Sequence, residues 1–457
     1  MTKKVNVSIT ESDYGSLMRH LFSGDQDEHG AILKAQLVET EGFSRLLVRE
    51  IIPAIDGIDY IEGEIGHRAL SPKFIHKHII ECRNERLVYV AVHNHYSDEH
   101  VNFSKVDFDS HERGYPALLD IAKGVPVGAL VLGKRSAEAD IWFPDGSRAT
   151  LNELRVIGST ISRRWPSPPD LLETTSQFDR QIRMFGDIGQ SILKMSRIGI
   201  VGLGGIGSLI AEYTSRLGVG RFVLVDPDRV EDTNLSRVVG AYQEDVQKNL
   251  LKIEIAGRQI RQFNPTADVK LVGMDVALGE AAEALLACDY IFLAADSMRA
   301  RLVVNAIVHQ YLIPAVQVGA KIRMNKLGVV EDAMSAIRTL RPGITCLWCN
   351  QLIDPSQLAI ESKTDDERAA QAYGTHQPNP SVITMNSVAA AHSTNDFLFD
   401  FLDLRTEDER NSFQHFHYTL RKFSNVTPRI DLHCSECSRP SGRFAKGSAM
   451  PLPVLEE

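Results

Sequence analysis

The sequence predicts an α/β protein: a mostly parallel sheet wrapped by helices, preceded by a smaller domain of α+β character. Three observations carry that expectation. Past residue 177, short apolar runs at 197–201, 221–226, 268–273, 289–295 and 314–319 alternate with stretches of helical periodicity, the pattern of strand–helix–strand units. Trp165-Pro166-Ser167-Pro168-Pro169-Asp170 puts three prolines in four positions, which neither a helix interior nor a central strand accommodates, and so marks a boundary. Before it, apolar runs at 30–40, 45–52, 86–92 and 125–132 mix with helical patterns in no regular alternation. The expected organisation is a domain over residues 1–165, a linker over 166–176, a second domain over 177–440 and a mobile tail over 441–457, where Gly, Ser and Pro occur without periodicity.

The 457 residues are enough for two or three separate cores, and 43% hydrophobic with 24% charged residues is the balance of a globular chain. A net charge of -9 argues against nucleic acid as a partner, which calls for a basic face. The opening residues lack the apolar core of a signal peptide and no apolar run reaches membrane length, so no membrane partner and a cytoplasmic location are expected. Of six cysteines, four form Cys-x-x-Cys pairs, which suits a metal site in a reducing compartment better than a disulfide framework.

Each element of the second domain then contributes to one site. The first strand runs into Gly202-Leu203-Gly204-Gly205-Ile206-Gly207 at the start of a helix, where glycines let backbone N–H groups approach phosphate oxygens. The second strand ends at Asp226, placed to accept from ribose hydroxyls. A hydride-transferring dehydrogenase has the same features up to this point. The surrounding residues separate the two: Phe178-Asp179-Arg180-Gln181-Ile182, Asp226-Pro227-Asp228, Asn234-Leu235-Ser236-Arg237, and Lys252 twelve residues before Asn264-Pro265.

Together these motifs, over about 177–437, resemble the ThiF/MoeB adenylyltransferases, whose Rossmann-like fold is shared with ubiquitin-activating enzymes. The resemblance implies ATP and Mg²⁺, and the joining of AMP to the C-terminal glycine carboxylate of a ubiquitin-like or sulfur-carrier protein. It assigns Gly202, Gly204, Gly205 and Gly207 to the phosphate loop, Asp226 to the ribose, and Asn234, Arg237 and Lys252 to the triphosphate. It further assigns Asp296 to magnesium and Arg180 to the nucleotide of the other subunit of a homodimer. Such chemistry needs cations because a carboxylate attacks a phosphate and charge builds on the departing pyrophosphate. Taken singly, Arg237 and Lys252 also read as solvated helix-face charges.

Cys346-Leu347-Trp348-Cys349 and Cys434-Ser435-Glu436-Cys437 supply four thiolates, the donor set of a closed, structural zinc site; a redox dithiol is the alternative. Between the pairs, where ubiquitin-activating enzymes carry a thioester-forming cysteine, residues 351–433 contain none, and Cys82 and Cys288 sit in apolar surroundings. Transfer of the adenylate to an external nucleophile is therefore expected, a conjugating enzyme or a sulfur donor.

In the first domain an apolar strand ends in His93-Asn94-His95, and residues i and i+2 of a strand point the same way, so both imidazoles can face one ion. Asp107 follows, with Ser104 one helical turn before it. This pattern resembles the JAMM (JAB/MPN+) metallopeptidases. That resemblance implies a JAB/MPN-like fold over about 25–133 and a catalytic Zn²⁺ on His93, His95 and Asp107. It makes Glu28 the general base and Ser104 the residue that steadies the oxyanion. Eight residues separate His95 from Ser104, one more than in that family. The histidines of this stretch also read as chance occurrence, since His76, His78, His100 and His111 lie in it too. The expected protein combines adenylation of a Gly-ended modifier with peptidase processing of it. The alternatives are sulfur-carrier activation for cofactor or cysteine synthesis, or a catalytically inactive scaffold binding such a tail.

Overall fold

The computed structural model describes residues 3–25, 27–40, 43–61, 68–169, 171, 175–361, 380–405 and 413–455. The chain forms two compact units, Met1–Asp170 with Ala445–Met450, and Leu171–Phe444 with Pro451–Glu457. Of the expected linker, residues 170 and 172–174 lie outside the described residues, as do 362–379 and 406–412 of the second domain and 456–457 of the tail.

The first unit runs β1 (Lys3–Thr10), α1 (Glu11–Leu21), β2 (Gly30–Thr40), β3 (Phe43–Pro53), the short ribbon β4 (Tyr60–Ile61) and β5 (Ala69–Leu70), and α2 (Pro72–Glu85). It continues with β6 (Val88–Asn94), α3 (Lys105–Ala122), β7 (Val127–Leu132), β8 (Ala137–Trp142), β9 (Arg148–Ile157) and β10 (Ile161–Arg164). The main sheet has the order β1-β3-β2-β6-β7-β8-β9-β10, and β1 also pairs in parallel with β9, so the sheet returns on itself like a barrel. Alternate residues of β2 serve two cores: Ala31, Leu33 and Ala35 pack with Leu17 and Leu21 of α1, while Ile32 packs with Phe74 and Ile79 of α2. Each fully buried leucine or isoleucine side chain among these contributes roughly 1.5–3 kcal/mol. The closure was not expected from the sequence, because it depends on strands at the two ends of the unit.

The second unit runs α4 (Asp179–Met195), β11 (Arg197–Val201), α5 (Gly205–Arg216), β12 (Arg221–Val225), α6 (Gln243–Gln247), α7 (Lys252–Phe263), β13 (Asp268–Val272) and α8 (Gly279–Leu285). Then come β14 (Tyr290–Leu293), α9 (Met298–Tyr311), β15 (Ala315–Met324), β16 (Val330–Leu340), α10 (Pro355–Glu361), α11 (Ile383–Phe401), β17 (Phe413–His417) and β18 (Lys422–Val426). The strand order is β13-β12-β11-β14-β15-β16-β17-β18, parallel as far as β15 and antiparallel beyond it. Successive connections from β11 go first toward β12 and β13, then back to β14 and β15. A crevice therefore opens at the carboxyl ends of β11 and β14, where α/β proteins of this kind bind ligands.

The expected mobile tail is corrected in part: Phe444 and Ala445 are 1% and 0% exposed. At Gly447 an added Cβ would lie 2.7 Å from Val38 of β2, so this stretch packs closely although it has no periodicity. No described helix is long and apolar enough to cross a membrane.

Candidate nucleotide site, cysteine clip and histidine cluster

Gly202, Asp226 and Asp296 each stand just past the carboxyl end of a parallel strand, β11, β12 and β14 respectively. Gly202 has φ 89°, in the left-handed region, and a Cβ there would lie 2.7 Å from the Ala295 backbone nitrogen. At Gly207 a Cβ would lie 1.8 Å from the Gly202 carbonyl oxygen, so only glycine lets α5 start this close to the strand end. Gly204, the N-cap of α5, has no side chain to satisfy the first-turn N–H groups, and a Cβ on it would meet nothing within 4 Å. An open helix N-terminus with free donors is what an anionic phosphate requires. Gly205 faces the other way, toward Asn386 of α11 and the Arg237 side chain.

Asp226 is 5% exposed, and its carboxylate accepts from the Leu203 N–H at 2.5 Å and from the Asp228 N–H at 2.8 Å. Burial pushes its carboxyl up, against the pull of those donors and of nearby Lys252. Its first task is therefore to hold the glycine turn, and a ribose would have to share the remaining lone pairs. Lys252 is paired with Asp228 at 2.7 Å. Asn234 is buried, with its Oδ1 3.4 Å from the Glu231 N–H, and the half-buried Arg237 donates to the Thr233 carbonyl at 2.6 Å. Asp296 is exposed next to Ser297, the N-cap of α9. Arg180 is exposed on the first turn of α4 and makes no hydrogen bond or ion pair among the described residues. Sequence reasoning missed Asn386, a lone asparagine whose position against Gly205 appears only in three dimensions.

The four cysteines of the two pairs converge, every sulfur within 4.8 Å of the others, with Cys349 and Cys437 3.5 Å apart. Thiolates bonded at about 2.3 Å to a tetrahedral ion stand roughly 3.8 Å apart, so the spacing fits zinc. Cys346, Cys434 and Cys437 are buried and Cys349 is half-buried, and four sulfurs would fill every position of a tetrahedral ion. Hydrogen bonding with Cys437, outweighing burial, and then with His309 holds the Cys346 thiol well below its ordinary range.

The model of the ThiF family matches residues 178–436, more than half of the chain. The chain belongs to the ThiF family. Among curated relatives, the sulfur carrier protein ThiS adenylyltransferase of Bacillus subtilis is 33% identical over 178 residues, 38% of this chain and 50% of that protein. The tRNA threonylcarbamoyladenosine dehydratase of Escherichia coli is 32% identical, over 31% of this chain and 53% of the other. The SAMP-activating enzyme E1 of Haloferax volcanii is 34% identical, over 38% and 62%. The chain thus spans about half the length of the curated relatives it matches. A solved structure of E. coli MccB with ATP is 20% identical, covering 58% of this chain and 75% of that one, with a TM-score of 0.45.

Outside the ThiF region, the histidine cluster of the first unit gathers on the end of β6 and the start of α3. The His93 and His95 Nε2 atoms are 3.2 Å apart, and they lie 3.5 Å and 3.6 Å from the two carboxylate oxygens of Asp107. Ligands bonded at about 2.0–2.2 Å around a tetrahedral ion are separated by roughly 3.3–3.6 Å, so the three are spaced to fit one zinc. Each keeps about a fifth of its side chain exposed (20–22%). Glu28 reaches to 3.7 Å from His95. Burial, then the neighbouring His93, pushes the His95 imidazole pKa down, favouring the neutral form that a metal binds. Burial opposes ionisation of Asp107, but hydrogen bonds from His93 and Ser104 hold its carboxyl low.

The loop over 95–104 that leads to Ser104 is pinned through buried Val101 and Phe103. Ser104 caps α3: its hydroxyl donates to Asp107 Oδ2 at 2.7 Å and accepts from the Asp107 N–H. The structure therefore commits that proton to Asp107, whereas the family resemblance has it serving an oxyanion. Two unforeseen residues complete the site. Asn94, fully buried, accepts from the His29 N–H at 2.7 Å and ties the Glu28 segment to the histidine strand. Phe103 separates the His93 ring from His111, which is itself hydrogen-bonded to Asp140 at 2.9 Å.

Proposed function

We propose that the ThiF unit adenylates the C-terminal glycine carboxylate of a small ubiquitin-like or sulfur-carrier protein. The carrying observation is the uncapped start of α5 at the switch-point crevice, with Arg237 beside Gly205. A peptide carboxylate oxygen bonds to the α-phosphorus of ATP, the bond from that phosphorus to the β-bridging oxygen breaks, and pyrophosphate leaves. The α5 N–H groups receive phosphate, Asp226 holds the turn while accepting from the ribose, and Asn234, Arg237 and Lys252 meet the triphosphate charge. Asp296 would hold magnesium, which supplies charge neutralisation. In a homodimer Arg180, exposed on α4, reaches the partner's nucleotide. The names of the ThiS adenylyltransferase and SAMP-activating relatives support this reading, and the dehydratase relative shows that the family's uses extend beyond it.

The test is ATP–pyrophosphate exchange in the presence of a Gly-terminated partner, with Arg237→Ala as control. Absence of exchange with every candidate partner rejects the proposal in favour of a scaffold. Adding a sulfide donor or a conjugating enzyme decides the onward step, because thiocarboxylate without conjugate assigns sulfur transfer.

A second reading rests on its own observation, the three ligand atoms of His93, His95 and Asp107 at zinc spacing with Glu28 beside them. It assigns the first unit a JAMM-like peptidase that trims or releases the same glycine-ended protein. Zinc held there would supply Lewis acidity. Glu28 takes a proton from the attacking water and delivers it to the leaving amine, and the Ser104 hydroxyl turns from Asp107 to the oxyanion. Cleavage of a fusion after the modifier's terminal glycine, abolished by Glu28→Gln and by a chelator, is the expected outcome.

A further inference from the structure

The first unit has a cavity of about 810 Å³ that the histidine cluster does not use. Phe103 and Phe108 give it an aromatic lining, and β8 and β9 a polar one that includes Glu138, Asp140, Arg148 and Thr150. Along β8, Ala137, Ala139 and Ile141 fill the inner core, so Glu138, Asp140 and Trp142 project to the other face. There α3 packs Tyr115 against Trp142 and hydrogen-bonds Asp140 through His111 at 2.9 Å, whereas Glu138 stays half-buried in the cavity lining. Strand register fixes its place relative to the histidines. His93 of β6 is opposite Val131 of β7, and Val131 is opposite Glu138 of β8. Residues opposite one another share a face, so Glu138 stands on the His93 side of the sheet, two strand spacings or about 10 Å away. Phe103 bridges the interval, its ring 6.1 Å from that of His93 and 5.7 Å from that of Phe108.

The two cations lining the cavity already have counter-charges. Arg148 holds Asp140 by two hydrogen bonds, at 3.0 and 2.7 Å, and also reaches Glu112, and Lys3 pairs with Asp145 at 3.5 Å. Glu138 is different. Its Oε1 accepts from the Ala139 and Leu151 N–H groups at 2.8 and 3.1 Å, which fixes the direction of the carboxylate, while its Oε2 has no hydrogen bond or ion pair among the described residues. Burial pushes the Glu138 carboxyl up, against those two donors and then Lys4, whose ammonium is 3.4 Å from the Leu151 carbonyl. A held carboxylate with one free oxygen beside two aromatic rings is the receptor of a cation on an apolar stem.

We propose that this cavity is a specificity subsite for a lysine or arginine side chain of the peptidase substrate, its stem on Phe103 and Phe108 and its cationic head on Glu138. The inference rests on the peptidase reading of the first unit. An extended chain advances about 3.3 Å per residue, so a site about 10 Å from His93 takes a residue about three positions from the cleaved bond. A basic side chain gains a charge-assisted hydrogen bond there. An acidic one is excluded by the like charge of Glu138, so selection works in both directions.

The test uses the full-length protein loaded with Zn²⁺ and fusions of a Gly-ended modifier in which lysine or glutamate is placed, position by position, on each side of the cleaved bond. At one position lysine is expected to exceed glutamate by about 10- to 100-fold in kcat/KM. Glu138→Gln should bring that ratio close to one, and Glu138→Lys should invert it at the same position. Equal cleavage of both series by the wild-type protein, or an unchanged ratio in folded Glu138→Gln, would overturn the inference. Binding supplies a readout that needs neither cleavage nor a variant. With selectively ¹⁵N-labelled protein, acetyl-Gly-Gly-Arg amide should shift the Ala139 and Leu151 N–H signals and acetyl-Gly-Gly-Glu amide should not. Absence of those shifts, or equal shifts with both peptides, overturns the cavity assignment. If the wild-type protein shows the shifts but cleaves no fusion, it is the peptidase reading that fails, and the cavity keeps its preference for a cation.

Discussion

Around the glycine turn of the ThiF unit, the candidate residues are fastened to backbone: Asp226 to the Leu203 and Asp228 N–H groups, Arg237 to the Thr233 carbonyl. In the first unit, His93, His95 and Asp107 instead point their functional atoms at a common centre, within 4.8 Å of one another. On the proposed reading of the two sites, the contrast follows from ligand size. A nucleotide is long and is received by loops at the ends of several strands, with each side chain supporting its own stretch of backbone. A metal ion is small and demands that side chains converge. The first arrangement leaves its cations engaged with protein atoms that a ligand must displace or share, whereas the second is ready-made at the separations an ion imposes.

If the two centres work independently, variants in one leave the other intact, and the largest effects come from groups that touch reacting atoms. Glu28→Gln is expected to lower peptide cleavage by about 10²- to 10⁴-fold with pyrophosphate exchange unchanged, read by parallel assays on one preparation. Arg237→Ala should lower exchange by about 10²- to 10³-fold and leave cleavage as it was. Loss of both activities in either variant breaks the comparison. Gly207→Ala puts a Cβ 1.8 Å from a backbone oxygen, and overpacking of this kind costs about 1–3 kcal/mol. A calorimetric scan should show it as a lowered transition of the second unit, accompanied by weaker ATP binding.

The smallest expected effect separates the units by pH. Asp107 is held below its ordinary range, so its contribution to stability is present above the unfolded value near 4 and is lost as pH falls through the folded value. Asp396 of α11 is pushed up to about 6 by burial and by Asp400, despite Arg405 at 2.8 Å. Its sign is opposite: the folded state binds the proton more tightly, so stability is greatest below about pH 4 and declines as pH rises through about 6. Asp396→Asn should flatten that decline in thermal melts between pH 4 and 7. The net gain at pH 7 is about 1 kcal/mol, because one pKa unit is worth about 1.4 kcal/mol and the Arg405 ion pair is given up.

The two units also differ in how much of them could be read from the residues. The run at 197–201 is β11, and the runs that follow become β12 to β15, because buried parallel strands are continuous apolar segments separated by helices. β2 likewise spans the residues expected of it. β16 to β18 escaped notice since charged and polar residues interrupt them, as in Val-Glu-Asp-Ala-Met-Ser-Ala-Ile-Arg at 330–338. The β1–β9 pairing joins strands more than a hundred residues apart, which no local pattern announces. At the sites, spaced cysteines, histidines and glycines carried a chemical signature. Asn94 and Asn386 did not, because a single buried polar residue acquires its role from what the fold sets beside it.

The most direct test of the account is ATP–pyrophosphate exchange by the full-length protein, with and without a small partner ending in glycine. The account predicts exchange that requires the partner's free terminal carboxylate and disappears when the terminal glycine is removed. Exchange that ignores the partner, or a glycine turn that takes up NADH in place of ATP, would contradict it.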